Sequence, residues 1–293
     1  MANTLKAYET PLRDPGDVAG AYGFCQALAS SHYENFPVAS RLLPRKLRKH
    51  VAALYAFARI ADDFSDEAEY EGVRRERLED WRAQLHDRAH PRHPVFLALN
   101  HTMRELDLPV EPFDDLLSAF LQDTEKRRYA TFEELLDYCR RSANPVGRIV
   151  LMIHGYRSQE LFELSDHICT ALQLANFWQD VSVDLKKDRI YIPEEDFRQF
   201  GYSEADLRMG LVSEKFVGLL KFQVNRTRAL FEQGRPLPNR LGFPLSWEIR
   251  LTWLGGREVL RKIKNQGFDT VSARPALSKW DWLPLIARSL LRS

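Results

Sequence analysis

Two stretches of this chain concentrate oxygen donors in a pattern that asks for a cation. ARIADDFSDE, residues 58–67, carries Asp62, Asp63, Asp66 and Glu67 at the end of the apolar run VAALYAFARIA. NFWQDVSVDLKKDRIYIP, residues 176–193, again places two aspartates four apart, Asp180 and Asp184, after apolar sequence. On a helix, four-residue spacing puts Asp62 and Asp66 about one turn apart on one face, with Tyr55 and Arg59 on the same stripe. The second segment gives a comparable stripe of Gln173, Asn176, Asp180 and Asp184. Like charges at this spacing cost only about 0.2–0.5 kcal/mol on an exposed helix, so cost alone does not separate a solvated acidic face from a site.

Context separates them. Leu54, Phe57, Ile60 and Ala61 flank the first stripe, and Leu172, Leu174, Phe177 and Trp178 the second. Carboxylates partly withdrawn from water need a cation or take up protons. Carboxylate oxygens joined by the amide of Asn176 suit Mg²⁺, which takes few protein carboxylates and completes its shell with water and phosphate oxygens. Nearby Arg59, Lys186, Lys187 and Arg189 supply charge for those phosphates. Metal and diphosphate between two helices are the expectation.

The elements that must position these residues are helical. Apolar residues recur at three- and four-residue spacing over 16–28, 44–60, 72–86, 95–106, 113–121, 131–155, 161–185, 203–211, 213–232 and 246–263. Short breaks carry Pro or Gly, as in HPRHP, DLPVEP and RPLPNRLGFP. Pro44 suits a first helical turn, and TFEE at 131–134 reads as a capping box. Pro145 should kink the helix over 131–155, and Gly147 beside it allows close approach of backbone or ligand. RIYIP, 189–193, is strand-like but too short and isolated to build a sheet. The pattern predicts an all-α chain, one domain over 1–293, with long helices around a central space.

Composition sets the outer bounds. Of 293 residues, 44% are hydrophobic and 28% charged, enough for a large core. A net charge of +1 gives no electrostatic case for nucleic acid. Three scattered cysteines, no CxxC pair and no basic–apolar leader fit a reduced, cytoplasmic protein. No apolar run approaches the roughly 18 residues of a membrane span. His86, His90 and His93 in HDRAHPRHP are broken by prolines and read as an exposed loop rather than a zinc site. Asp114 and Asp115 read as a helix start. The C-terminal KWDWLPLIARSLLRS could lie on a membrane surface or pack on the bundle, with packing favoured by its short length and Pro284.

YAFARIADDFSD and QLANFWQDVSVDLKKDRIYIP resemble the two aspartate-rich signatures of the squalene/phytoene synthase family. HYENFPVASRLLP and RRYATFEELLDYCRRSANPVG extend the resemblance over essentially the whole chain. The resemblance implies an isoprenoid synthase helical bundle around a central cavity. It implies Mg²⁺, with Mn²⁺ as a substitute, held by Asp62, Asp63 and Asp66 from one side and Asn176, Asp180 and Asp184 from the other. His32, Asn35, Phe36, Tyr55, Arg59, Gln173, Lys187, Arg189, Tyr191 and Arg274 would contact the diphosphate substrate or line its path. Tyr55, Arg59, Gln179 and Tyr138 would serve the chemistry, and RIYIP would be a flap over the site. Aromatic faces at Phe36, Phe57, Tyr138, Phe177 and Trp178 are candidates to steady a carbocation.

Departures from the common pattern narrow the subclass. Asn35 stands near a usual serine, Gln179 replaces an arginine, and SANPVG replaces VAGTVG. Together they look most like bacterial hydroxysqualene synthases, which take presqualene diphosphate, let water capture the rearranged cation and need no NADPH. A synthase condensing two farnesyl or geranylgeranyl diphosphates, giving presqualene diphosphate, squalene or phytoene, is the alternative reaction. A non-catalytic scaffold of the same family is the alternative of another class, and it would be expected to lose the acidic residues retained here. Peripheral contact at the inner membrane face and with neighbouring pathway enzymes would suit a water-insoluble product.

Overall fold

Apolar spacing becomes helix along the whole of the computed structural model, which describes residues 8–31 and 44–290; among these there is no β-strand. In chain order the helices are α1 (Val18–Ser31), α2 (Arg45–Asp66), α3 (Arg74–His86), α4 (Pro94–Glu105), α5 (Glu111–Asp123), α6 (Phe132–Ser142) and α7 (Asn144–Ile153). They continue with α8 (Gln159–Gln179), α9 (Val181–Lys186), α10 (Glu194–Phe200), α11 (Glu204–Arg208), α12 (Glu214–Gly234), α13 (Leu245–Asn265) and α14 (Lys279–Leu290). Neither α10 nor α14 stands among the helices expected from periodicity. His32, Asn35 and Phe36 lie outside the described residues.

Two compact units divide the chain: Met1–Glu125 with Arg148–Arg157, and Lys126–Gly147 with Ser158–Ser293. In the first, α2 packs against α1, α3, α4 and α5. Its core stripe of Ala53, Phe57, Ile60 and Phe64 is at most 1% exposed. Phe57, Phe64 and Phe96 surround the fully buried Trp81, whose indole N–H donates to the Phe57 carbonyl over 3.3 Å. Pro44 is the N-cap of α2, one residue before its first turn. His93, expected in an exposed loop, is 4% exposed, and its Nδ1 accepts the Val95 N–H to cap α4. Asp114 does open α5, where it pairs with His86 and Arg82.

In the second unit α8 packs on α6, α12 and α13. The Trp178 indole N–H donates to Thr227 over 2.8 Å, tying α8 to α12 in the core. Pro145 does not kink a continuous helix. The chain breaks at Ala143, and Pro145 falls in the first turn of α7, where its missing N–H costs nothing. Gly147 serves backbone approach, since a Cβ there would stand 2.4 Å from Ser165 Oγ and 2.5 Å from Cys169 Sγ of α8. Thr170 donates to Asn144 Oδ1 over 2.9 Å, so SANPVG is a docking strip for α8. The TFEE capping box forms by half. Thr131 accepts the Glu134 N–H, but the Glu134 carboxylate takes the Ala130 N–H instead of the cap's own. α14 packs on α13, as favoured from its sequence.

Candidate active site

On α2 the helical rotation sorts the acidic residues. Tyr55, Arg59, Asp62 and Asp66 share a half-buried stripe, whereas Asp63 turns inward to 3% exposure. Consecutive residues are rotated by roughly 100° on a helix, so the two carboxylates of the Asp-Asp pair leave the helix in different directions. Arg59 bridges the two, with Nη2 at 2.5 Å from Asp63 Oδ1 and Nη1 at 3.7 Å from Asp62 Oδ2. Burial pushes Asp63 up to about 6, against the pull of Arg59 and with the charge of Glu67 adding to the rise. Asp63, expected among the metal ligands, is paired with Arg59.

The same stripe carries donors in want of an acceptor. Among the described residues the Tyr55 hydroxyl and Arg59 Nε are buried without a hydrogen-bond partner. Burial raises the Tyr55 phenol above its ordinary range, Arg59 opposes, and Asp63 and Asp62 reinforce. Buried donors left unsatisfied cost about 1–3 kcal/mol each. A phosphate oxygen would relieve both.

In the second unit the helix expected to run unbroken to 185 ends at Gln179, and Asp180 (φ −100°, ψ 13°) joins α8 to α9. The stripe survives the break. The Asp180 N–H donates to the Asn176 carbonyl and the Asp184 N–H to the Asp180 carbonyl, each over 2.8 Å. That bonding keeps Asn176, Asp180 and Asp184 one turn apart. Asn176 is exposed, while Gln173, Asp180 and Asp184 are half-buried.

Two neighbours of this motif have unexpected partners. Arg274 forms a forked ion pair with Asp180. Gln179, 6% exposed, donates its amide to the Pro275 carbonyl over 2.5 Å. Gln179, expected among the reacting groups, thereby tethers the segment after α13. Pro275 enters through its carbonyl alone, and no residue pattern announces that.

Tyr138, 4% exposed, and Tyr191 belong to an aromatic cluster with Tyr129 and Phe177. Phe177 and Tyr191 stack face to face, ring centroids 3.7 Å apart. Tyr129 was not singled out from the sequence, although it stands just ahead of the α6 cap. Tyr191, Asp184 and Arg189 line one small cavity with Phe177. Arg189 is 9% exposed, whereas Lys186 and Lys187 are exposed. RIYIP is neither helix nor strand, and it is pinned at both ends. The Ile190 N–H donates to the Arg127 carbonyl over 3.0 Å and the Glu194 N–H to Tyr129 over 2.9 Å, while Ile190 and Ile192 are buried.

The donor chemistry of each acidic stripe bears comparison with the demands of Mg²⁺. Among the described residues no three His, Cys, Asp or Glu side chains converge as a ready-made cage. Mg²⁺ needs none, because it is held by one or two carboxylates and keeps several waters. Asp62 with Asp66, and Asp180 with Asp184 and the Asn176 amide, fit that demand.

Comparison with known proteins bears on what such stripes do. A family model described as squalene/phytoene synthase matches residues 29–281. A hydroxysqualene synthase of Rhodopseudomonas palustris is 32% identical over 82% of this chain and 82% of its own length. A phytoene synthase of Arthrospira platensis is 28% identical over 96% of each chain. The crystal structure of squalene synthase HpnC from Alicyclobacillus acidocaldarius matches at TM-score 0.83 and 39% identity, covering 91% of this chain and 99% of that one. A dehydrosqualene synthase in complex with ligand also gives TM-score 0.83, at 23% identity over 94% and 98%, and speaks to the fold alone. The all-α architecture expected from periodicity is the isoprenoid synthase helical fold of these structures.

Proposed function

Because the chain belongs to the squalene/phytoene synthase family of enzymes, we propose that it converts presqualene diphosphate and water to hydroxysqualene and diphosphate. The observation that carries this reading is the 32% identity to a hydroxysqualene synthase, above the 28% and 24% to two phytoene synthases. The 39% identity to a squalene synthase, HpnC, supports the family's prenyl chemistry without choosing between its reactions.

Asp62, Asp66, Asn176, Asp180 and Asp184 are the proposed oxygen donors to Mg²⁺. The bound ion would draw off charge building on the departing diphosphate. Tyr55 and Arg59, with their unpartnered buried donors, are proposed to take diphosphate oxygens. Lys187, Arg189 and Arg274 add charge there. Arg274 must exchange Asp180 for a phosphate oxygen to do so. His32, Asn35, Phe36 and Gln173 are further proposed substrate contacts.

Ionisation breaks the carbon–oxygen bond and leaves a cyclopropylcarbinyl cation that rearranges. Aromatic faces from Tyr138, Phe177 and Tyr191 would steady that cation by about 0.5–2 kcal/mol each. Water then bonds to the final cation and releases one proton to solvent. The sum consumes one water, expels diphosphate and needs no reductant. A cytoplasmic protein touching the inner membrane face and neighbouring pathway enzymes completes the reading. No helix among the described residues is long and apolar enough to cross a membrane.

Head-to-head condensation of two prenyl diphosphates is the second reading, favoured by a phytoene synthase matched over 96% of both chains. One experiment separates the two. Purified protein with Mg²⁺ receives presqualene diphosphate or farnesyl diphosphate separately, and products are analysed by mass spectrometry. Hydroxysqualene from the first and nothing from the second is expected. Presqualene diphosphate, squalene or phytoene-type product made from prenyl diphosphate alone would overturn the assignment.

A further inference from the structure

Helices α12, α13 and α14 line a cavity of about 280 Å³ within the second unit, away from the acidic motif in sequence. Lys221, Arg228, Arg257, Arg261, Lys264 and Arg288 line it, and Glu258 is the one acid among the lining residues. Two of the cations are neutralised. Arg257 pairs with Glu232 at 3.1 Å, and Arg261 pairs with Glu258. The side chains of Lys221, Arg228, Lys264 and Arg288 have no ion pair or hydrogen bond among the described residues. The crowding is felt at Arg257: burial lowers its proton affinity first, Glu232 opposes, and Arg228, Arg288 and Arg235 lower it further. Four unpaired like charges around a concave wall concentrate positive potential, and an anion with several oxygens would relieve it. The cavity lining also includes the apolar Val224, Leu254 and Phe268.

The helix that contributes Arg288 has a second face. Its inner side is docked, with Leu285 2% and Ser289 1% exposed and Asp281 held by Lys262 at 2.8 Å. Its outer side presents Trp280, Leu283, Ala287 and Leu290 to solvent at spacings of three, four and three. Trp280 is 80% exposed and Leu290 67%. An apolar stripe with a tryptophan, left bare beside unpaired cations, matches a helix lying in a bilayer interface.

We propose that this cavity seats the phosphate headgroup of an anionic phospholipid while the α14 stripe enters the bilayer surface. The stripe selects a lipid over a free phosphate, because soluble phosphate would leave Trp280, Leu283 and Leu290 bare. The inference deepens the peripheral-contact part of the proposed function and does not depend on which prenyl reaction the protein performs.

Co-sedimentation of the full chain with vesicles tests it. Neutral phosphatidylcholine vesicles are compared with vesicles containing phosphatidylglycerol. Binding to the anionic vesicles is expected to be at least about tenfold tighter and to weaken with salt. The double variant Lys264→Glu/Arg288→Glu loses that preference, and Trp280→Ser/Leu283→Ser weakens binding to vesicles that wild type binds. Turnover in detergent and melting temperature stay at wild-type values in both. If charge reversal unfolds the protein, Lys264→Gln/Arg288→Gln replaces it with the same expected direction. Equal binding to neutral and anionic vesicles would overturn the headgroup site while sparing membrane contact. No binding to either would overturn both, whatever the turnover. Displacement from anionic vesicles by millimolar inorganic phosphate at constant ionic strength would identify a free-anion site and overturn the lipid assignment.

Discussion

Arg274 holds Asp180 with two arms of its guanidinium, Nε on one carboxylate oxygen and Nη2 at 3.3 Å from the other. One residue along, Gln179 donates to the Pro275 carbonyl. Two consecutive residues of the acidic turn are thus fastened to two consecutive residues of the segment following α13. A cation already stands on a carboxylate that the proposed function assigns to Mg²⁺, so the two compete.

Arg274→Gln removes the competitor. Ion pairs this exposed are worth about 0.2–1 kcal/mol, so Mg²⁺ should bind without substrate up to about fivefold more tightly. Turnover should fall, because a diphosphate contact is lost with it. Isothermal titration with Mg²⁺ alone and steady-state kinetics report the two effects separately. Unchanged Mg²⁺ affinity would show that the pair does not gate the carboxylate.

Asp62 and Asp63 should separate cleanly despite adjoining in sequence. Asp62→Asn is expected to raise the Mg²⁺ concentration needed for half-maximal turnover by at least about tenfold, a loss comparable to other damage at metal sites. Asp63→Ala should leave that concentration near the wild-type value and destabilise the fold by about 1–3 kcal/mol, since Arg59 loses its buried partner. Kinetics against Mg²⁺ and urea unfolding on both variants decide it. A shared Mg²⁺ phenotype would return Asp63 to the ligand set.

That division marks how far the sequence was legible. Spacing alone placed Tyr55, Arg59, Asp62 and Asp66 on one stripe, and the structure keeps them there. The same spacing did not sort Asp63 from its neighbours, because inward rotation depends on which stripe meets Trp81 and Phe96. At Asp180 the expected helix breaks while its four-residue bonding persists, so the donor pattern was readable and the break was not. Pro145 carried a helix-breaking signal whose outcome, kink or new start, depended on whether Gly147 and Asn144 could dock on α8. The Gln179–Pro275 bond spans 96 residues and ends on a backbone carbonyl. Neither periodicity nor residue type encodes such a contact.

A buried ion pair outside the acidic motifs should govern the stability of the second unit. Asp196, 3% exposed, accepts from Gln223 at 2.8 Å and pairs with Arg226 at 2.6 Å, while the Arg226 guanidinium lies 3.4 Å from the Phe132 ring centroid. Removing one partner strands a buried charge, so Asp196→Ala should cost about 3–5 kcal/mol. Asp196→Leu/Arg226→Met should recover part of the loss, because the apolar pair strands no charge and leaves only the Gln223 amide without its acceptor. Urea denaturation of both variants tests this. A double variant as weak as the single would place the loss in packing rather than charge.

Glu248 on α13 gives stability a pH dependence of its own. It is 9% exposed, its Oε1 has no hydrogen-bond partner among the described residues, and burial raises its carboxyl from 4.5 to about 7. Between those values the folded chain holds a proton that the unfolded chain has released. Stability from this group is therefore full below about pH 4.5, falls as pH rises, and levels off above about pH 7. Glu248→Gln should remove that slope, so that the variant gains on wild type by up to about 3 kcal/mol between pH 4.5 and 8. Asp63 titrates with the same sign but is present in both proteins, so the difference between their curves isolates Glu248. Urea unfolding at half-unit pH steps measures it, and parallel curves would mean that Glu248 is charged and solvated in the folded state.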